Sequence, residues 1–267
     1  MSLIHLFILA VIQGLTEFLP VSSSGHLILL PGLTGAADQG LAIDVAVHVG
    51  TLFAVVLYFR PDVAIALAGC GRLFRGKVDT PGAFLALCLI IATIPVIIAG
   101  FILKVTGLSE ALRSVAVIGW SMLGFGVVLY WADMVGSQDK SDGNWTLKDA
   151  IIMGFAQVLA LIPGTSRSGI TITAARRLGY DREGAAKLSM LMSIPTILAS
   201  GTLLGIDVVG DADWAMARDA TIGAAFAFFS ALLALTLMMR LLRSVSFTPY
   251  VIYRVVFGIG LLIWAYS

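Results

Sequence analysis

Charge is what this chain has least of. Only 12% of its 267 residues are Asp, Glu, Lys or Arg, 59% are hydrophobic, and the mean hydropathy is +0.98. Soluble domains carry about a quarter charged residues. The scarcity excludes a soluble globular domain and leaves an all-α polytopic membrane protein. Two cysteines, Cys70 and Cys88, exclude a disulfide-stapled scaffold. Neither belongs to a CxxC pair, and both read as free thiols. Three histidines (His5, His26 and His48) make no metal-type Cys/His cluster. A Gly-rich nucleotide loop and any nucleic-acid signature are missing, so no nucleic acid is expected as a partner. The N-terminal stretch lacks a basic region and a small-residue cleavage site, and does not read as a removed signal peptide.

What is present is apolar sequence in bilayer-length pieces. A crossing needs about 20 apolar residues. Six runs qualify: Leu41–Phe59, Ala83–Leu103, Val115–Trp131, Ala185–Leu204, Ala220–Met239 and Val251–Tyr266. Two further apolar segments are interrupted, Leu3–Leu30 by "PVSSSGH" and Ala150–Ala175 by "PGTSRSG". Proline, glycine and consecutive serines end helices. Non-helical backbone at membrane depth is tolerated only where protein buries it or water reaches it. Both segments therefore read as re-entrant helix–loop–helix hairpins.

The order is hairpin, three crossings, hairpin, three crossings. An odd number of crossings makes the second half enter from the opposite side. The expectation is a single integral membrane domain over 1–267 with inverted-topology repeats at about 1–135 and 147–267, a plan that places a site near the midplane. The two interruptions align loosely, Pro20, Ser23 and Gly25 against Pro163, Ser166 and Gly169, with one residue inserted in the second. Loop charge gives the orientation. Arg60, Arg72, Arg75 and Lys77 follow the first crossing, Arg176, Arg177, Arg182 and Lys187 follow the second hairpin, and Arg240 and Arg243 close the fifth crossing. The connection Asp207–Asp219 is acidic, with Asp207, Asp211, Asp213 and Asp219 against Arg218. The positive-inside rule puts the three basic regions in the cytoplasm and both termini outside.

The polar residues at membrane depth carry the chemistry. Gln13 and Glu17 are four apart on one helix face, and an intramembrane carboxylate is a functional candidate by default. Arg167, between Ser166 and Ser168, offers a planar donor fork for phosphate. Gly164 and Gly169 free the backbone for an anion nest, and a helix starting near Gly169 adds its N-terminal dipole. Ser22, Ser23 and Ser24 are hydroxyl nucleophiles or helix caps. Glu17 and His26 are the adjacent bases, and His26 suits a general acid for a leaving phosphate. Asp44 and His48, four apart on the first crossing, line a cavity or bind a metal on one reading and form a packed polar pair on the other.

"QGLTEFLPVSSSGH" (Gln13–His26) and "PGTSRSGIT" (Pro163–Thr171) resemble the two signature motifs of the bacterial undecaprenyl-diphosphate phosphatase family of the bacitracin-resistance type, and the resemblance extends over the whole chain. It implies hydrolysis of undecaprenyl diphosphate to undecaprenyl phosphate and inorganic phosphate in the bacterial inner membrane; the orientation read from loop charge is what opens the site to the periplasmic face. Carried over by position, Glu17, Ser23, His26 and Arg167 are the catalytic candidates, and Gln13, Ser22, Gly164, Ser166, Ser168 and Thr171 the substrate-binding ones. Gln13 stands where some members have glutamate, which places the acid–base or metal work on Glu17. The resemblance also implies a divalent cation, Mg²⁺ or Ca²⁺, with Glu17 as its ligand, and a polyprenyl diphosphate lipid as partner, with a homodimer left open. Ser23 attack and attack by a Glu17-activated water are both compatible with these residues. A polyprenyl-phosphate flippase or transporter using the same headgroup site is the alternative.

Overall fold

The structure is a computed structural model, which describes residues 2–35, 39–208 and 214–267; Asp211 and Asp213 of the acidic connection lie outside them. The described residues form twelve α-helices and no strand. In chain order these are α1 (Leu3–Phe18), α2 (Ser23–Thr34), α3 (Leu41–Tyr58), α4 (Arg60–Leu73), α5 (Pro81–Thr106), α6 (Leu108–Ala111), α7 (Val115–Val135), α8 (Leu147–Val158), α9 (Arg167–Arg177), α10 (Arg182–Val208), α11 (Trp214–Leu241) and α12 (Thr248–Tyr266). Six of them, α3, α5, α7, α10, α11 and α12, are long and apolar enough to cross a membrane. They fall on the six runs read from hydropathy.

The remaining helices are shorter. α1 has 16 residues, α2 12, α8 12 and α9 11. At 1.5 Å per residue these are about 16–24 Å long, less than the ~30 Å hydrocarbon thickness. α1 packs on α2 and α8 on α9, so each interruption is the tip of a helical hairpin. The α4 stretch reads from sequence as a basic connection and is a helix instead. Pro61 sits in its first turn, with Asp62 at the start and Arg72 at the end, which suits its ends electrostatically. At 14 residues it is too short to cross a bilayer.

Packing between the halves follows a matched pattern. α1 lies against α11 and α8 against α5; α3 lies against α11 and α10 against α5; α3 meets α10 and α7 meets α12. The hairpin contacts are close for a local reason. A Cβ on Gly14 of α1 would fall 2.7 Å from the Ala227 carbonyl oxygen, and one on Gly154 of α8 would fall 2.6 Å from that of Ala92. Only glycine lets the backbones approach this far.

One end of the molecule is tied by ion pairs. Arg176 is fully buried and donates from Nε to Asp133 Oδ1 at 3.0 Å, and Arg182 Nε reaches the same oxygen at 2.8 Å. Lys187 bridges Asp62 (2.8 Å) and Asp142 (2.9 Å). Tyr180, also buried, donates to Asp149 at 2.7 Å. Burial first, and that carboxylate second, push its phenol pKa up and keep it a donor. Arg176 is thus a structural knot, where the sequence suggested a free loop charge. Cys70 and Cys88 are free thiols.

Candidate active site

The two hairpin tips have the same backbone. Ser22 (φ +75°) and Ser166 (φ +70°) are the two non-glycine residues with positive φ among the described residues. Each caps the following helix: Ser22 Oγ accepts from the Gly25 N–H at 3.4 Å, and Ser166 Oγ from the Gly169 N–H at 3.1 Å. Each then faces the serine two positions on, Ser24 at 3.4 Å and Ser168 at 3.1 Å. Residues held in such sparsely populated conformations cost about 1–3 kcal/mol each and gather at functional sites. The shared geometry sets Ser22 on Ser166 and Ser23 on Arg167. The sequence alignment had set Ser23 on Ser166 with one residue inserted; in the shared geometry the register runs through without an insertion, and Pro20 falls on Gly164. In the same register, buried Gln13 falls on buried Gln157 and Glu17 falls on Leu161.

Between the tips lies a cavity of about 190 Å³, lined by Glu17, Ser22, Ser23, His48, Ser166 and Arg167 among others. Glu17 is its hub. Its Oε1 accepts from Arg167 Nη2 at 2.8 Å; its Oε2 accepts from Ser23 Oγ at 2.7 Å and from Gln13 Nε2 at 3.1 Å. The pairing joins the two hairpins. It meets the desolvation cost of a carboxylate at this depth with an ion pair and two hydrogen bonds. Arg167 Nη1 also donates to the Ser189 carbonyl at 3.2 Å, which aims the guanidinium across the cavity.

Several expected site residues stand behind the cavity instead of lining it. Gln13 is fully buried and holds the carboxylate. Ser168 donates to the Leu19 carbonyl at 3.0 Å and locks one tip to the other. Thr171, buried, donates to the Arg167 carbonyl at 2.8 Å and shares a 2.6 Å hydrogen bond with Ser189. Gly164 (φ +91°) forms the tight turn of the second tip against Ile118. His26 is not brought to Glu17. Its Nδ1 donates to the Ser22 carbonyl at 2.6 Å, its Nε2 accepts from the Tyr253 hydroxyl at 2.5 Å, and its ring stacks on Phe257. Both ring nitrogens are engaged, and the imidazole nearest the carboxylate is His48.

Arg254 was missed. It is fully buried in α12, and its partners are carbonyl oxygens: Pro20 of the first tip, Gly164 and Thr165 of the second, and Met122 and Ser121 of α7, at 2.9–3.4 Å. It fastens both tips to one another. The signal was available, since an arginine inside an apolar crossing is a functional candidate.

The side chains do not make a resident cation site. Both Glu17 oxygens are engaged, and among the described residues no group of three or more His, Cys, Asp or Glu comes together. A Mg²⁺ or Ca²⁺ here would draw its ligands mainly from a diphosphate.

The model of the family described as bacitracin resistance protein BacA matches residues 6–260. A protein of Roseobacter denitrificans named undecaprenyl-diphosphatase is 74% identical over the full length of both chains, and one of the same name from Jannaschia sp. is 66% identical over the full length of both. A further protein of that name, from Chromohalobacter salexigens, is 47% identical over 99% of each. With a family match over nearly the whole chain and relatives this similar, the chain belongs to the bacitracin resistance protein BacA family.

Proposed function

We propose that this protein hydrolyses undecaprenyl diphosphate to undecaprenyl phosphate and inorganic phosphate, returning the lipid carrier to envelope polymer synthesis. One observation carries the reading: a serine hydroxyl already hydrogen-bonded to a buried carboxylate shares a cavity with an arginine from the other hairpin. A nucleophile with an adjacent base is the arrangement for covalent catalysis. The guanidinium fork and the bordering N-termini of α2 and α9 suit phosphate oxygens. In the mechanism, the diphosphate takes over Arg167, Ser23 Oγ attacks the terminal phosphorus as its proton passes to Glu17, and prenyl phosphate leaves. Arg167 stabilises the charge on the transferring group. Water then releases phosphate from Ser23.

The hairpins are re-entrant in this reading and the halves are inverted repeats. Supporting it are the short hairpin arms and the matched packing of the halves. The headgroup enters from the periplasmic face of the inner membrane. The cavity uses Thr196 and Ser200 of α10, from the half of that helix remote from Arg182 and Lys187. An adjoining apolar cavity of about 280 Å³ shares Val96, Leu161, Thr196 and Ser200 with it and gives the start of the prenyl tail a place. A carrier of the same headgroup is the second reading, favoured by the matched halves; it has no use for a hydroxyl aligned on Glu17.

The test is phosphate release from a C15 prenyl diphosphate by detergent-purified protein. Wild type is expected to turn over and Glu17→Gln to lose about 10²–10⁴-fold. Headgroup binding without release by folded wild type would move the assignment to the carrier.

A further inference from the structure

His48 has no part in the reaction described above, yet it faces its centre. The imidazole lines the cavity, its side chain is 34% exposed, and its Nε2 lies 3.8 Å from Glu17 Oε2. That is the oxygen to which Ser23 donates. His48 Nδ1 donates to the Asp44 carbonyl at 2.7 Å, one turn back on α3, which fixes the ring plane and leaves the Nε2 lone pair toward Glu17. A lone pair and a carboxylate oxygen facing each other across this distance make a place for one proton. The charged groups around the ring are Glu17 from α1, Arg167 from α9 across the cavity, and Asp44 on its own helix. α10 contributes the hydroxyls of Thr196 and Ser200 to the lining, and α11, packed along α3, contributes no lining residue.

We propose that His48 is a further catalytic residue, the proton carrier paired with Glu17. The inference rests on the phosphatase reading and deepens it. As the Ser23 Oγ–P bond forms, the hydroxyl proton passes through Glu17 Oε2 to His48 Nε2. The P–O bond to the prenyl phosphate breaks, and the imidazolium gives its proton to the leaving oxygen. In the second half, water attacks the phosphorus on Ser23 and its proton passes to the Glu17–His48 pair. The Oγ–P bond breaks and the same proton returns to Oγ. One water is consumed, and prenyl phosphate and inorganic phosphate are released. A carboxylate alone handles the first transfer well but is a poor donor to the leaving oxygen. The imidazole supplies that second property from the same spot.

The experiment uses the full-length protein in detergent, a C15 prenyl diphosphate, and the variants His48→Ala, His48→Gln and Glu17→Gln, each checked for folding by thermal melting. Both His48 variants are expected to lower kcat about 10²-fold or more with KM within about twofold. They are also expected to lose one ionisation limb of the kcat–pH profile, and added imidazole is expected to restore part of the rate of His48→Ala. His48→Gln, closer in size, covers a failure of His48→Ala to fold. Wild-type kcat and pH profile in either folded variant overturns the proposal. So does a loss that leaves the pH profile unchanged and resists imidazole, since that marks a packing role. Wild type releasing no phosphate sinks the phosphatase reading and this inference with it; active wild type beside indifferent His48 variants sinks this inference alone.

Discussion

Residues Leu19–Gly25 and Ile162–Gly169 bend alike and act differently. Both tips hold a serine at positive φ, cap a helix with its hydroxyl and stop at a glycine. At the next position the first tip has Ser23 and the second has Arg167; at the hub position the first hairpin has Glu17 and the second Leu161. The matched parts are backbone and caps, which any bound anion can use. The unmatched parts are a hydroxyl with its base on one side and a fixed cation on the other. Chemistry appears where the two frames diverge, because a nucleophile and a charge stabiliser must approach one phosphorus from different directions.

The sharpest way to break the comparison is to remove what differs. Arg167→Ala is expected to cost about 10³–10⁵-fold in kcat, the range for an arginine serving a transferring phosphoryl group. Ser23→Ala should abolish turnover while leaving headgroup binding within a few-fold, measured by phosphate release and by equilibrium binding to the folded protein. Near-normal turnover in Ser23→Ala would point to water as the attacking group. A smaller effect separates the turns. A Cβ on Gly164 (φ +91°) would lie 2.5 Å from the Ile118 carbonyl oxygen, whereas one on Gly25 would meet nothing nearer than the Ile118 side chain at 3.3 Å. Gly164→Ala should lower the melting temperature clearly more than Gly25→Ala, by scanning fluorimetry in detergent. The smallest effect tests what is shared. Ser22→Ala and Ser166→Ala should each cost about 1 kcal/mol as lost caps, and the two losses should be alike. A large difference between them would mean that one cap serves more than structure.

Much of this was legible from the order of residues. The crossings were readable because their apolar runs have bilayer length. Glu17, Ser23 and Arg167 were readable because polar groups are expensive where they sit. Which histidine would join them was not. His26 is three residues from Ser23, but the first turn of α2 carries its ring to Tyr253 and Phe257. His48 comes from α3 and reaches Glu17 only through packing. The roles of Gln13, Ser168 and Thr171 shifted for a related reason. A motif says which residues are near the tip, while cavity lining depends on which side of the turn each one faces. Arg254 hid in plain view because it has no carboxylate partner to suggest where it goes, and its backbone oxygens come from three distant segments.

That last arrangement has a consequence for how the protein comes into being. Arg254 belongs to α12, and the carbonyls it gathers belong to segments made much earlier. Before α12 is made, the tips have the Glu17–Arg167 and Ser168–Leu19 contacts but not the buried arginine that gathers the carbonyls of both. The paired tips therefore reach their full rigidity only when α12 packs beside them, and a chain cut before α12 is expected to release phosphate more slowly than the intact protein. The proteolytic or genetic loss of α12 should weaken the site, however intact the two signature motifs remain.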